Sequence, residues 1–178
     1  FEDDTIWGSV RYPDTAPSVQ SQGLTWSSND PAFAITTSSG PARTGDWGMY
    51  SYPHGDTDPV GDPTDPQRDG FVGTTAGSLF GVGGWLTSNT GGARVRLVLD
   101  GTVAIDFNDP GVVSQHKFFG AIDTTGFKGF EFYETEGTRG DQEFIFADDF
   151  TVGAEGTSLI FGDGFESGDL SAWSVAEP

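Results

Sequence analysis

The sequence DQEFIFADDFTVG, residues 141–153, is a β-forming run that contains two adjacent carboxylates. Phe146 and Phe150 are apolar positions typical of a strand. Because side chains alternate between the two faces of a strand, we expect one of Asp148 and Asp149 to point inward. A buried carboxylate is costly unless a cation or hydrogen-bond donors hold it. The stretch therefore predicts a strand with one acidic side chain held by a bound partner.

Turn-forming residues divide the rest of the chain into short apolar runs. The 27 Gly and 10 Pro are spread along the sequence, which favours strands and turns over helices. Asp100-Gly101 predicts a two-residue hairpin turn. We expect strands at residues 6–12, 23–27, 32–36, 47–52, 71–74, 79–86, 93–99, 102–107, 117–122, 129–133 and 143–152. This pattern predicts an all-β fold, a two-sheet antiparallel β-sandwich of jelly-roll type with a C-terminal extension.

The composition narrows the classes of partner. The formal net charge is −19, which argues against nucleic acid and anionic membranes as partners. There is no cysteine, and hence no disulfide framework or thiolate chemistry. No apolar run approaches the length of a membrane span. The sequence has no G-x-S-x-G motif and offers no distinct catalytic set, so we expect a protein that is not an enzyme.

Acidic residues near the start and near the end of the predicted sandwich domain, in sequence, form the first candidate metal site. In a jelly roll the first and last strands commonly lie side by side. This pairing would bring the N-terminal acids close to the two acids of the 141–153 stretch. Several carboxylates with nearby carbonyl oxygens suit Ca²⁺, although two unrelated solvated patches are the alternative. The candidate ligands are Glu2, Asp3, Asp4, Asp148 and Asp149.

A Pro- and Asp-rich segment at residues 53–70 is the second candidate calcium site. Alternating aspartates followed by glycine are how short loops place oxygens around Ca²⁺. The spacing is not that of an EF-hand, and a solvated acidic loop is the alternative. The candidate ligands here are Asp56, Asp58, Asp62 and Asp65.

Four aromatic residues are candidate sugar-binding positions. Aromatic rings that line one face of a sandwich can stack on sugar rings, whereas aromatic residues packed in the core are the alternative. The four residues are Trp47, Tyr50, Tyr52 and Trp85.

Several short motifs, in order along the chain, resemble those of a known class of domain. They are Phe1-Glu2, Gly23-Leu24-Thr25-Trp26, Lys117-Phe118-Phe119-Gly120, Phe130-Glu131-Phe132 and Ala147-Asp148-Asp149-Phe150. Over residues 1–153 the chain resembles exported bacterial β-sandwich domains of sorting-tagged extracellular proteins. The resemblance implies a jelly-roll fold, a secreted or cell-surface location and often Ca²⁺. It does not imply an activity.

The segment after residue 153 suggests how such a domain would function. Residues 157–161 are predicted to form a short apolar strand that could pair with its own sheet or with the sheet of another copy. The candidate assembly residues are Leu159, Ile160, Phe161, Phe165 and Trp173. We therefore predict a calcium-stabilised extracellular structural or adhesive subunit that self-assembles with copies of itself or with matrix components. The alternative is a non-catalytic carbohydrate-binding module that binds glycans, and a small hydrolase is a third hypothesis.

Removal of calcium tests the metal prediction. Because an ion bound only by the folded state must stabilise it, we expect EGTA to lower the melting temperature. Thermal denaturation with EGTA, and again after excess CaCl₂ is restored, measures the effect. A melting temperature that is the same in both conditions would contradict calcium binding at both acidic clusters.

Overall fold

The computed structural model describes residues 1–31, 33–52, 70–89, 93–108, 115–135 and 144–154. Nearly all regular structure in these residues is β, apart from one helical turn, α1, at Asp4–Trp7. The nine strands are β1 Ser18–Ser21, β2 Leu24–Ser28, β3 Ala34–Ser38, β4 Gly48–Tyr52, β5 Gly70–Ser88, β6 Arg94–Leu99, β7 Thr102–Asn108, β8 Lys117–Glu134 and β9 Ile145–Ala154. No helix among the described residues is long and apolar enough to cross a membrane.

The nine strands form one antiparallel sheet with the order β3-β4-β9-β5-β8-β6-β7, and β2 joins β1 to β5. The two long strands, β5 and β8, belong to two layers. Residues 70–74 of β5 pair with β2 and β8, whereas residues 79–88 pair with β9 and β8. The ladder registers shift between Thr74 and Leu79. The predicted antiparallel all-β sandwich is confirmed, with a single continuous sheet that supplies both layers.

Aromatic side chains fill the space between the layers. Phe150 of β9 lies 4.9 Å from Trp26 of β2 and 5.7 Å from Phe71 of β5, measured between ring centroids. It also contacts Phe130 and Phe132 of β8. Edge-on and offset ring contacts of this kind add to the stabilisation that comes from burial alone. Phe150 thus packs β9 against the opposite layer, beside the core residues Ile145 and Ala147 of the same strand.

The N-terminal segment differs from its prediction. Residues 6–12 were expected to form the first strand, but α1 occupies Asp4–Trp7 and only Arg11 forms an isolated bridge, to Thr37. The Asp3 side chain caps this turn by accepting a hydrogen bond from the Thr5 backbone N–H. Trp7 is buried at the end of the turn. A capped helical turn therefore occupies the start of the segment that was predicted to be the first strand.

The sequence predicts the β6–β7 turn correctly, but it does not predict that several short apolar runs join into long strands. Asp100 and Gly101 have φ of 45° and 79°, as a tight hairpin turn between β6 and β7 requires, so that prediction is confirmed. The hairpin between β1 and β2 was not predicted, although Gln22 and Gly23 form a similar turn with φ of 52° and 80°. The runs predicted separately at 71–74 and 79–86 join in β5, as do 117–122 and 129–133 in β8.

The close approach of Gly84 to Phe150 gives a stability test. A Cβ at position 84 would overlap the Phe150 ring, so we expect Gly84→Ala to destabilise the fold by about 1–3 kcal/mol through overpacking. Urea denaturation followed by tryptophan fluorescence measures this difference. Gly77→Ala in the same strand is the matched control, since a Cβ there has open space. Equal losses in the two variants would contradict the packing of Phe150.

Candidate functional site

Asp148 is the buried member of the acidic pair, with 3% of its surface exposed. Its Oδ2 atom accepts hydrogen bonds from the backbone N–H groups of Arg43 and Thr44, at 2.8 and 3.1 Å. Its Oδ1 atom accepts one from the backbone N–H of Asp149, at 2.8 Å. The prediction that one carboxylate is buried is confirmed, and these three donors offset the cost of its burial.

A β-bulge at Asp149 separates the two acidic side chains. Trp85 pairs with Asp148 and Gly83 with Thr151, so two residues of β9 lie opposite Gly84 alone. Asp149 has a φ of 48°. After the bulge, Phe150 points between the layers. The simple alternation expected for this strand therefore fails at the residue after Asp148.

The side chain of Asp149 is partly exposed and contacts the same loop that covers Asp148. Its two oxygens lie 2.6 Å from the Arg43 guanidinium and 2.7 Å from the Thr44 hydroxyl. The Arg43 guanidinium also stacks on the Trp85 ring at 3.7 Å. Arg43 thus links the acidic pair to the outer face of β5.

Glu2 holds the other end of this loop, which we call the 39–47 loop. The Glu2 Oε1 atom accepts hydrogen bonds from the backbone N–H groups of Asp46 and Trp47, at 3.1 and 2.9 Å. Gly45, with a φ of 63°, lies directly against the Glu2 carboxylate, where a Cβ would clash. One loop therefore connects Glu2 to Asp148 and Asp149, although the N-terminal segment does not pair with β9. β9 itself lies between β4 and β5.

Asp3 and Asp4 have other contacts. Asp3 caps α1, and its hydrogen bonds from Thr5 lower the pKa of the Asp3 carboxyl. Asp4 pairs with Arg11 at 2.9 Å.

Within the described ranges, no group of three or more His, Asp or Glu side chains is placed to bind one metal ion. Calcium at this end of the sandwich stays a prediction. The second calcium site, at Asp56, Asp58, Asp62 and Asp65, lies outside the described residues.

A cleft of about 200 Å³ opens between the N-terminal segment, the β1–β2 hairpin and the bulge of β9. Three aromatic rings and three carboxylates contribute to it, together with the amide of Gln22. Its lining residues are Phe1, Glu2, Ser21, Gln22, Leu24, Trp26, Asp148, Asp149, Phe150 and Val152. The Phe1 ring lies 5.8 Å from Trp26 and 6.3 Å from Phe150, so the aromatic side chains form one connected surface. Trp26 and Asp148 are buried, so a ligand in the cleft would meet the half-buried rings of Phe1 and Phe150. Glu2, Gln22 and Asp149 supply the accessible hydrogen-bonding groups.

The four aromatic residues singled out from the sequence lie elsewhere, and none of them lines this cleft. Trp47 and Trp85 are each covered by an arginine, Arg11 at 3.9 Å and Arg43 at 3.7 Å. Tyr50 is buried against Phe146, with ring centroids 5.3 Å apart. The structure places Tyr52 next to the exposed Tyr12, with ring centroids 5.3 Å apart.

Sequence reasoning found only part of the cleft. The sequence marks Glu2, Asp148 and Asp149 as candidate metal ligands, Phe150 as an apolar strand position and Phe1 as part of a short motif, but it marks none of them as part of a sugar-binding cleft. Nothing in the sequence marked Gln22, an exposed residue of an unpredicted turn. The predicted extension, residues 154–178, and its assembly residues Leu159, Ile160, Phe161, Phe165 and Trp173 lie outside the described residues, except that β9 continues to Ala154. Self-assembly through them stays a prediction.

Comparison with known proteins gives little about identity. No family model matches the chain, and no curated protein matches it. Among solved structures, the fold is similar to that of TmCBM61 in complex with β-1,4-galactotriose, with a TM-score of 0.45 and 14% sequence identity. The similarity covers 84% of this chain and 94% of that one. At this identity and score, the similarity does not establish a shared ligand.

The burial of Asp148 gives a pH-dependent prediction. Burial raises the pKa of its carboxyl above the usual range. The hydrogen bonds from the backbone N–H groups of Thr44, Arg43 and Asp149 act in the opposite direction but do not cancel the effect of burial. The folded protein therefore holds this proton more tightly than the unfolded chain. The resulting stabilisation is fully present below the unfolded pKa of about 3.9 and is lost as the pH rises through the folded pKa.

Replacement of Asp148 removes this dependence. We expect the free energy of unfolding of Asp148→Asn, relative to that of the wild type, to increase from about pH 3 to about pH 7. Urea denaturation of both proteins across this range measures the difference, and a carboxyl ¹³C titration by NMR locates the pKa. A difference that is constant, or that decreases as the pH rises, would contradict the raised pKa.

Proposed function

We propose that this chain is a non-catalytic carbohydrate-binding module that binds saccharides in the cleft between the β1–β2 hairpin and β9. The observation that supports this proposal is the combination of aromatic rings with carboxylate and amide groups in one cleft. Binding pockets for small molecules are typically apolar concavities with a few convergent polar groups. A sugar has both kinds of surface, since its C–H groups are apolar and its hydroxyl groups form hydrogen bonds.

The polar groups of the cleft suit hydroxyl donors. The Asp149 carboxylate is partly exposed, at 29% of its side-chain surface, and retains acceptor capacity beyond its contacts with Arg43 and Thr44. Hydrogen bonds from a hydroxyl to a carboxylate are among the stronger ones in proteins. Gln22, an exposed residue that lines the same cleft, offers both a donor and an acceptor.

The charge of the cleft favours uncharged sugars over acidic ones. Its lining contains Glu2, Asp148 and Asp149 but no lysine, arginine or histidine. The chain as a whole has a net charge of −19. A uronic acid would bring its own carboxylate close to these groups, and like charges at close range are unfavourable. We therefore propose neutral saccharides as the ligand class.

The contacts of the acidic pair support a binding role over a catalytic one. Glycoside hydrolysis needs one carboxyl group that donates a proton and another that acts as nucleophile or base. Both oxygens of Asp148 accept hydrogen bonds from backbone N–H groups. Both oxygens of Asp149 contact side chains of the 39–47 loop. These contacts hold a loop in place. Export and calcium binding stay predictions from the sequence.

A panel of trisaccharides tests the proposal. We expect β-1,4-galactotriose or cellotriose to bind, and trigalacturonate not to bind, in isothermal titration calorimetry and in ¹H–¹⁵N NMR titrations. Asp149→Asn removes the exposed charged acceptor and should weaken binding by about 10-fold, as expected for a hydrogen bond to a charged group. The perturbed amide signals should come from residues that line the cleft.

Asp106→Asn is the matched control for Asp149→Asn. Asp106 is likewise paired with an arginine, Arg96 at 2.5 Å, but it lies on β7 and does not line the cleft. This variant removes one charge and one ion pair, and it should leave saccharide affinity unchanged. If no neutral saccharide binds, or if both variants weaken binding equally, the proposed site is wrong.

A further inference from the structure

A second and larger cavity lies beside the cleft, on the other side of the β1–β2 hairpin. It has a volume of about 410 Å³. Its lining is uncharged and rich in amide and hydroxyl groups, and no aromatic residue contributes to it. The lining residues are Gln20, Ser21, Gln22, Gly23, Leu24, Thr25, Thr74, Thr75 and Ala76. Ser21, Gln22 and Leu24 also line the first cleft, so the two cavities adjoin.

The strand register explains why this cavity is polar. Gln20 pairs with Thr25, and Thr25 pairs with Thr74, so these three side chains form a row across β1, β2 and β5. The neighbouring pair, Val19 and Trp26, is buried in the core. Since side chains alternate along each strand, the row lies on the outer face of the layer. It presents one amide and two hydroxyl groups side by side.

The hairpin turn between the cavities leaves room for a ligand to pass from one to the other. Gly23 stands at the tip with a φ of 80°, and a Cβ added there would have nothing within 4 Å. Gln22, the other turn residue, is exposed and contributes to both cavities. An extended ligand that crosses the turn would therefore meet a polar side chain and a small residue.

We propose that this second cavity is a subsite for the adjoining residue of the same saccharide chain. The inference rests on the proposed saccharide binding in the first cleft. The first cleft supplies aromatic rings and acceptors, and the second supplies neutral donors and acceptors that match sugar hydroxyl groups. The ligand class is then a neutral oligosaccharide whose residues occupy both sides of the hairpin.

Affinity as a function of chain length tests the subsite. The probes are galactose, β-1,4-galactobiose and β-1,4-galactotriose, together with glucose, cellobiose and cellotriose, measured by NMR titration. In the series that binds, we expect the disaccharide or trisaccharide to bind at least about 10-fold more tightly than the monosaccharide. Gln20→Ala should weaken the longer ligands about 5-fold, as expected for one hydrogen bond, and leave the monosaccharide unaffected.

Ser18→Ala is the matched control, because Ser18 is exposed on the same strand two residues from Gln20 and lines neither cavity. It should leave every affinity unchanged. If the monosaccharide binds as tightly as the trisaccharide, or if Gln20→Ala weakens all lengths equally, the subsite is wrong while the first cleft stands. If no member of either series binds, both the subsite and the saccharide-binding function are wrong.

Discussion

The buried carboxylate of Asp148 is the constraint on which this end of the sandwich depends. Its oxygens accept hydrogen bonds from three backbone N–H groups, two of which belong to the 39–47 loop. A carboxylate this well covered is unfavourable without such donors, and the donors in turn have no equivalent acceptor if the carboxylate is removed. Strand and loop therefore fix each other. Glu2 repeats the arrangement at the far end of the loop, where it accepts the N–H groups of Asp46 and Trp47.

The β-bulge after Asp148 allows one strand to supply both the hydrogen-bonded carboxylate under the 39–47 loop and a core side chain. It lets Asp148 stay under the loop while Phe150, two residues later, reaches the aromatic cluster between the layers. Gly84 makes the bulge possible, because its missing side chain leaves the space that the Phe150 ring occupies. The same bulge leaves Asp149 partly exposed at the margin of the cleft. Fold stability and the geometry of the cleft thus depend on the same few residues of β9.

The candidate site was only partly predictable because its residues come from distant parts of the chain. Glu2 and Asp149 are identifiable from the sequence as acidic residues, but the cleft forms only where they meet the turn residue Gln22 and the rings of Phe1 and Trp26. Local secondary-structure propensity carries no information on contacts between residues so far apart in the chain. The four aromatic residues that the sequence marks as candidates lie outside this cleft, and sugar binding by them stays a prediction. Trp47 and Trp85 are covered by arginines, a pairing made by residues 36 and 42 positions away.

The sequence by itself determined the all-β class, the Asp100-Gly101 hairpin and the presence of one buried acid in the 141–153 stretch, because periodicity, turn chemistry and desolvation are local properties. Only the tertiary structure decided that β5 and β8 each run through both layers, since that continuity depends on partners on either side. It also decided which acid is buried. Asp148 and Asp149 are equivalent in sequence, and the bulge and the N–H groups of a loop about a hundred residues earlier distinguish them.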